Sequence, residues 1–416
     1  MKKDSLTSCP PVVVVGLGVT GLGVVRSLNE RSVPMKISIT GMDSDVRQPG
    51  VRTRLCDKFF CEDINSDSLV EHLLQLRKRF SADPILFLSR DVHVLAVLRH
   101  VDQLKEHYHF LLPDADVSEL LLNKARFFAY AQENGFNIPA TFRVSTIEDM
   151  QTATASIRFP CILKPCYRTS RWHKRGYPKQ FVFNDKNDLL RVWSSVRLIQ
   201  SDYILQELVG GNESQSYFCM VYYDEESRCI ESFTGRKLRH WPCKSGNACV
   251  AAPTSCPAVE KETKRLFGAL QFKGFGSAEF KHDHRTGEYK ILEATVGRTN
   301  LQSELATANG INLVWKAYAN LTRATVEQEA KPREPTIWIY EYGDLRSCIQ
   351  HVRRSELTLG EWIRSYKGRR CYALFSWKDP LPLLISLRKA IAQSLRVGTG
   401  LGRAQERVMA LGTEFS

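Results

Sequence analysis

Two glutamates and a small set of lysines have the types and spacing that chemistry requires. Glu279 sits in Ser277-Ala278-Glu279-Phe280-Lys281 and Glu293 in Ile291-Leu292-Glu293-Ala294-Thr295. The turn Asp283–Gly287 between them predicts an antiparallel hairpin, Gly276–His282 with Glu288–Ala294. A carboxylate among apolar residues is costly unless it is paired or binds a metal. Two hard oxygen ligands at one point suit Mg²⁺; the alternative is a solvated pair on a half-exposed sheet face. Lys164 ends the apolar segment Cys161-Ile162-Leu163, where an ammonium is well placed to hold phosphate as a point charge. Lys124 lies on the preceding helical stretch. The loop Tyr167–Lys179 carries Arg168, Arg171, Lys174, Arg175 and Gly176, the composition of a lid that closes over polyphosphate.

The elements that must position these residues follow from periodicity. Val12–Val15 reads as a buried parallel strand, followed by a helix over Leu22–Asn29. Strands at Lys36–Thr40, Pro84–Leu88 and Phe110–Leu112 alternate with helices at Ser66–Arg79 and Val92–His107, the signature of a parallel α/β sheet. Gly16, Gly18 and Gly21 have the dinucleotide spacing, with Asp43 where a ribose ligand would stand. The same glycines serve a tight turn and close helix packing without a cofactor, and Asp43 then reads as a solvated loop residue. After Pro113 a helix spans Asp114–Asn134. Two β/α units follow: Phe142–Val144, Thr146–Ser156 and Cys161–Lys164, then Gln180–Phe183, Lys186–Ile199 and Tyr203–Leu208. A hairpin joins Ser216–Tyr223 to Cys229–Lys237, a helix covers Ala258–Leu270, and Lys331–Pro335 reads as a linker.

In order and spacing these segments resemble the ATP-grasp superfamily, over about Pro113 to Thr322. The residues behind the resemblance are Leu112-Pro113-Asp114 with Asn123-Lys124, Ile162-Leu163-Lys164-Pro165, Gln206-Glu207-Leu208-Val209-Gly210-Gly211, Thr234-Gly235-Arg236-Lys237-Leu238-Arg239, Ser277-Ala278-Glu279-Phe280 and Leu292-Glu293-Ala294-Thr295-Val296-Gly297-Arg298. The branch it looks most like is the predicted carboxylate–amine ligases; it is more distantly similar to D-alanine–D-alanine ligase, biotin carboxylase and carbamoyl phosphate synthetase. The resemblance implies an α/β chain in three parts: a Rossmann-like pre-ATP-grasp domain at 1–112, an ATP-grasp α+β domain at 113–330 with a lid subdomain at about 142–208, and a basic C-terminal extension at 331–416.

It also implies roles. Lys124 and Lys164 would hold ATP phosphates. Gln206–Val209, with Glu207 and Leu208, would be the hinge strand that holds adenine, partly by backbone around Leu208, and Glu213 would bind ribose. Lys237 and Arg239 would line the phosphate or substrate side, with Lys164, Lys237 and Arg298 as the catalytic set. Glu279 and Glu293 would hold Mg²⁺. Thr295 stands where family members carry an asparagine ligand, so Thr295 itself, Asn300, Glu304 or a water would complete the metal site. The implied reaction is ATP-dependent joining of a carboxylate to an amine through an acyl phosphate. The rivals are an ATP-binding interaction protein without ligase activity and a nicotinamide oxidoreductase.

Composition sets the outer limits. The 416 residues hold 58 Lys and Arg against 45 Asp and Glu, a net charge of +13. The tail Lys331–Ser416 has 15 basic against 8 acidic residues, so 15 − 8 gives +7. A basic surface attracts phosphorylated or anionic partners, but no nucleic-acid-binding motif accompanies it, and no nucleic acid is expected. The tail Thr336–Ser416 reads as an added subdomain capping the core; the alternative is that Leu383–Leu395 forms a basic helix for a membrane surface or protein partner. The twelve cysteines form no CxxC pair, which predicts reduced thiols and a cytoplasmic location. His93, His100 and His107 recur at the spacing of one helix face. The apolar runs are too short to span a bilayer.

Overall fold

The computed structural model describes residues 9–30, 32–167, 171–172, 175–243, 246–325 and 334–387. The chain divides into two compact units. The first comprises Met1–Ser118, Glu213–Glu279 and Ala294–Ala390; the second comprises Glu119–Asn212, Phe280–Glu293 and Ile391–Ser416.

The first unit begins with a four-stranded parallel sheet of β1 (Val12–Val15), β2 (Ile39–Asp43), β3 (Asp57–Phe60) and β4 (Ile85–Leu88), in the order β3-β2-β1-β4. β1 is wholly buried because apolar groups cover both faces of the sheet. The predicted strand at Phe110–Leu112 is not formed. His109 instead makes an isolated bridge with Ile85, and its N–H donates to the Pro84 carbonyl at 2.9 Å. The predicted Val92–His107 helix is two helices, Asp91–Arg99 and Val101–Lys105, interrupted at His100. The three histidines therefore do not share one helix face.

The glycine-rich turn is a packing device. A Cβ on Gly21 would lie 1.8 Å from the Gly16 carbonyl oxygen, and Gly16 itself has φ +83°. Asp43 corrects the expectation of a solvated loop residue. It is buried, and its carboxylate accepts the Leu17 N–H of the same turn at 2.6 Å and the Asp45 N–H at 2.8 Å. A carboxylate buried there is stable because the turn's own amides satisfy it.

The second unit holds an antiparallel four-stranded sheet, β5 (Thr141–Val144), β6 (Cys161–Pro165), β7 (Phe181–Phe183) and β8 (Tyr203–Glu207), in the order β5-β8-β6-β7. Helices Ile147–Ser156 and Lys186–Val196 supply Met150, Leu189, Val192, Trp193 and Val196 to its core. The second helix starts from Asp185, which accepts the Asn187 and Asp188 N–H groups. The long helix predicted over Asp114–Asn134 is instead Ala115–Leu122 and Lys124–Glu133. Asn123 breaks it, since its side chain caps the second helix by accepting the Ala125 and Arg126 N–H groups at 3.0 and 3.2 Å.

The remaining strands are β9 (Ser216–Tyr223), β10 (Cys229–Trp241), β11 (Asn247–Pro253), β12 (Gly274–Asp283), β13 (Glu288–Val296), β14 (Thr336–Ile339) and β15 (Arg369–Tyr372). They form one sheet in the order β13-β12-β9-β10-β11-β14-β15. A single core runs within the first unit from Val12 and Phe87 through Phe218 and Trp315 to Trp338 and Ala373. Arg26 reinforces it by donating to the Tyr372, Ala373 and Leu374 carbonyls. All twelve cysteines are free thiols. No described helix is long and apolar enough to cross a membrane. Residues 381–387 are helical; Arg388, Lys389 and Arg396 of the expected basic helix lie outside the described residues, as do Arg168, Lys174 and most of the expected linker.

Candidate active site

In the second unit, the antiparallel pairing of β6 with β8 sets Ile162 opposite Gln206 and Lys164 opposite Ile204. The Lys164 ammonium donates to Gln206 Oε1 at 3.1 Å, and the Gln206 Nε2 donates to Thr141 Oγ1 at 2.8 Å. Gln206 is fully buried, so this amide is a fixed hinge on which the lysine is aimed. The Asn123 cap places Lys124 at the first position of its helix, where N–H groups and the helix dipole favour an anion. The same helix start reaches the end of β6. The Tyr167 hydroxyl hydrogen-bonds the Asn123 side chain, and burial pushes the Cys166 thiol up to about 11 against the nearby Lys124 charge. Lys124 and Lys164 thus lie at the root of the basic loop. Trp172 anchors that loop, fully buried against Tyr177, Phe181 and Tyr203, with its ring N–H on the Pro178 carbonyl at 3.1 Å. Arg171 and Arg175 are exposed.

In the first unit, Lys237 on β10 and Glu279 on β12 form an ion pair at 2.5 Å; the lysine is 6% exposed and the glutamate 28%. Ser277 and Glu279 are two apart on β12 and so share a face. Asn300, itself buried, donates from Nδ2 to Ser277 Oγ at 2.9 Å. Thr295 is buried on β13. Glu304 packs elsewhere. Its side chain lies beside Gly23 and 3.8 Å from Arg26, and burial pushes its carboxyl up to about 7. Arg298 pairs with Asp91 at 2.5 Å. Glu293 is exposed on β13.

Four expected nucleotide residues have other partners. Glu207 is buried in a charge cluster with Arg285 at 2.7 Å and Lys290 at 4.0 Å, and Asp283 belongs to the same cluster. The Leu208 N–H donates to the Pro160 carbonyl at 3.1 Å. Arg239 makes a two-pronged contact with fully buried Asp344, at 2.6 and 3.0 Å. Asp344 also accepts the Trp362 ring N–H at 2.8 Å and the Tyr366 hydroxyl. Register shifts between Lys237, Arg239 and His240 disturb the strand's alternation there. Glu213 takes the His240 N–H at 2.9 Å and lies beside His351. Sequence reasoning placed Gln206 on the hinge strand but not its bond to Lys164, and it missed Asp344 and Asn300's bond to Ser277. A buried glutamine two residues before Leu208 was the one local signal.

No family model matches the chain. It is 23% identical over 319 residues to the D-aspartate ligase of Enterococcus faecium (strain Aus0004), covering 72% of this chain and 74% of that protein. N5-carboxyaminoimidazole synthetase from Staphylococcus aureus superposes with a TM-score of 0.62 at 13% identity, covering 85% of this chain and 88% of that one. The biotin carboxylase domain of the Hydrogenobacter thermophilus 2-oxoglutarate carboxylase, solved with ADP, its magnesium salt and bicarbonate, gives 0.60 at 14% identity over 78% and 72%.

Proposed function

We propose that this chain, an ATP-grasp protein by fold, is an ATP-dependent carboxylate–amine ligase. The observation that carries the reading is the convergence of Lys124, Lys164 and a basic loop at one end of the second unit's sheet, with Gln206 fixing the Lys164 head. Lys164 on β6, and Lys124 at a helix N-terminus whose charge acts on Cys166 two residues beyond Lys164, are groups suited to polyphosphate. Lys237 and Glu279 supply a second charged pair on the first unit.

In the reaction, a substrate carboxylate oxygen attacks the γ-phosphorus of ATP. The bond to the β,γ-bridging oxygen breaks, giving an acyl phosphate and ADP. An amine nitrogen then attacks the acyl carbon, the C–O bond to phosphate breaks, and the nitrogen loses a proton to give the amide. Catalysis of phosphoryl transfer is mainly positioning and charge neutralisation. Lys164 and Lys124 of the second unit are assigned to the phosphates, and Lys237 and Arg298 of the first unit are the remaining candidate catalytic cations. The basic loop excludes water from the acyl phosphate.

The donors suit a divalent cation. On the first unit Glu279 presents a partly exposed carboxylate, and Asn300 and Thr295 carry further oxygens, all hard ligands of the kind Mg²⁺ takes; Glu293, the other expected ligand, belongs to the second unit. Bound Mg²⁺ would neutralise phosphate charge. Adenine recognition draws on peptide groups around Glu207 and Leu208 other than the committed Leu208 N–H. Arg239 serves the structure through Asp344. Glu213 is engaged by the His240 N–H and lies beside His351. The Enterococcus relative makes small amino acids the first carboxylates to try. The buried Asp43 on the glycine-rich turn argues against the nicotinamide alternative. Calorimetry tests the reading: Mg·ATP should bind and NAD(H) should not. Binding of NAD(H) without ATP would reverse it.

A further inference from the structure

A second cluster of ligating side chains lies within the first unit, apart from the residues assigned to the reaction. The carboxylate of Glu213, the thiol of Cys243 and the imidazole of His351 present ligand atoms that all lie within 4.8 Å of one another. His240 faces the same carboxylate, with Nδ1 3.5 Å from Glu213 Oε2. Its side chain is 8% exposed, and Nδ1 has no hydrogen-bond partner among the described residues. His351 Nε2 lies 3.6 Å from the same Oε2, while its other ring nitrogen, Nδ1, contacts Glu356 Oε2 at 2.8 Å. Cys243 Sγ lies 3.7 Å from Ser347 Oγ.

We infer that Glu213, Cys243 and His351, with His240 as the fourth donor, form a binding site for a thiophilic divalent metal ion, Zn²⁺ foremost. A carboxylate, a thiolate and two imidazoles are a tetrahedral zinc donor set. Thiolate and imidazole favour zinc over the hard cations that nucleotides carry. Glu356 holds the far nitrogen of His351, which fixes the ring so that Nε2 can face a metal. A Cys–His–Glu nucleophilic triad is the rival for the same atoms. It fits less well, because Glu213 sits on the Nε2 side, where a triad needs the thiol alone. The site would staple the Glu341–Arg353 helix, which bears His351, to the end of β10 that lies just past Lys237.

The test uses the full-length protein, stripped of metal and titrated with Co²⁺, then Zn²⁺. The inference predicts one equivalent of Co²⁺ with a thiolate-to-cobalt charge-transfer band, displaced by Zn²⁺. Cys243→Ser should abolish the band, while Cys229→Ser, a thiol outside the cluster, should keep it. Glu356→Gln should weaken Co²⁺ binding about 10- to 100-fold. Circular dichroism establishes that each variant is folded. A misfolded Cys243→Ser leaves the wild-type spectrum and the Glu356→Gln affinity to decide. No stoichiometric Co²⁺ uptake by the wild type, or a band that survives in folded Cys243→Ser, overturns the inference. The readout involves no nucleotide, so it stands or falls separately from the ligase reading.

Discussion

The ammonium of Lys237 and the carboxylate of Glu279 meet at 2.5 Å although 42 residues separate them in the chain. The lysine is 6% exposed and depends on this partner, since a buried ammonium without one is strongly disfavoured. The pair also places a positive and a negative group together on the sheet proposed to face phosphate. Its members should act as one unit. Lys237→Met and Glu279→Gln should each lower ATP turnover about as much as the double variant does. Steady-state ADP release from all four proteins gives the coupling. Additive losses would make the two residues independent.

Lys164 depends on Gln206 for its aim. Lys164→Met should lower turnover about 100- to 1,000-fold, the typical loss for one preorganised charge contact. Gln206→Leu leaves the lysine in place but unaimed. It should cost ~1.5–3 kcal/mol of that interaction, so about 10- to 100-fold, with the fold intact by circular dichroism. A wild-type rate in Gln206→Leu would mean that the amide does not orient the lysine.

Arg26 ties the N-terminal helix to the C-terminal strands. It donates to three consecutive carbonyls, Tyr372 to Leu374, and lies near Glu304 and Asp379. Arg26→Met should destabilise the first unit by about 3–5 kcal/mol, because buried Asp379 and Glu304 lose a cation. Chemical denaturation followed by tryptophan fluorescence measures it. A change below about 1 kcal/mol would mean that the tail is held by its apolar contacts alone.

His93 gives the acid limb of stability. Burial first, then the Arg90 and Arg298 charges, push its imidazole down to about 3. The unfolded chain binds the proton near pH 6.5, so below that pH the unfolded state gains protons that the folded state refuses, and stability falls as pH falls toward 3. Each pH unit in that window costs about 1.4 kcal/mol. His93→Leu should flatten this slope whatever packing change it brings. An unchanged slope between pH 6 and 4 would place the acid sensitivity in other groups.

The sequence was legible where the signal was local. β1, β4 and both hairpins follow from β-branched runs, alternation and turn residues, and the lysines and glutamates of the candidate site lie on the elements expected. The failures have physical causes. Asn123 splits a helix because its side chain bonds backbone more readily than it continues the turn. β3 was missed because Asp57-Lys58-Phe59-Phe60 carries no run of apolar residues, and pairing with β2 alone makes it a strand. Arg239 reads as a phosphate ligand in sequence, yet its partner Asp344 lies 105 positions away. Asp43 reads as a loop acid because only the folded turn brings the Leu17 amide to it. The Glu213, Cys243 and His351 cluster has no spacing to read, since three separate elements supply it.

The central claim is the joining of a carboxylate to an amine through an acyl phosphate. Its most direct measurement is Mg·ATP-dependent ADP release with pooled carboxylates, small amino acids included, in the presence of hydroxylamine to trap acyl phosphate as hydroxamate. Hydroxamate should form in step with ADP, only with ATP and a carboxylate present, and should vanish in Lys164→Met. ADP release that needs no carboxylate, hydroxamate that persists in Lys164→Met, or no ATP turnover with any pool would contradict the account.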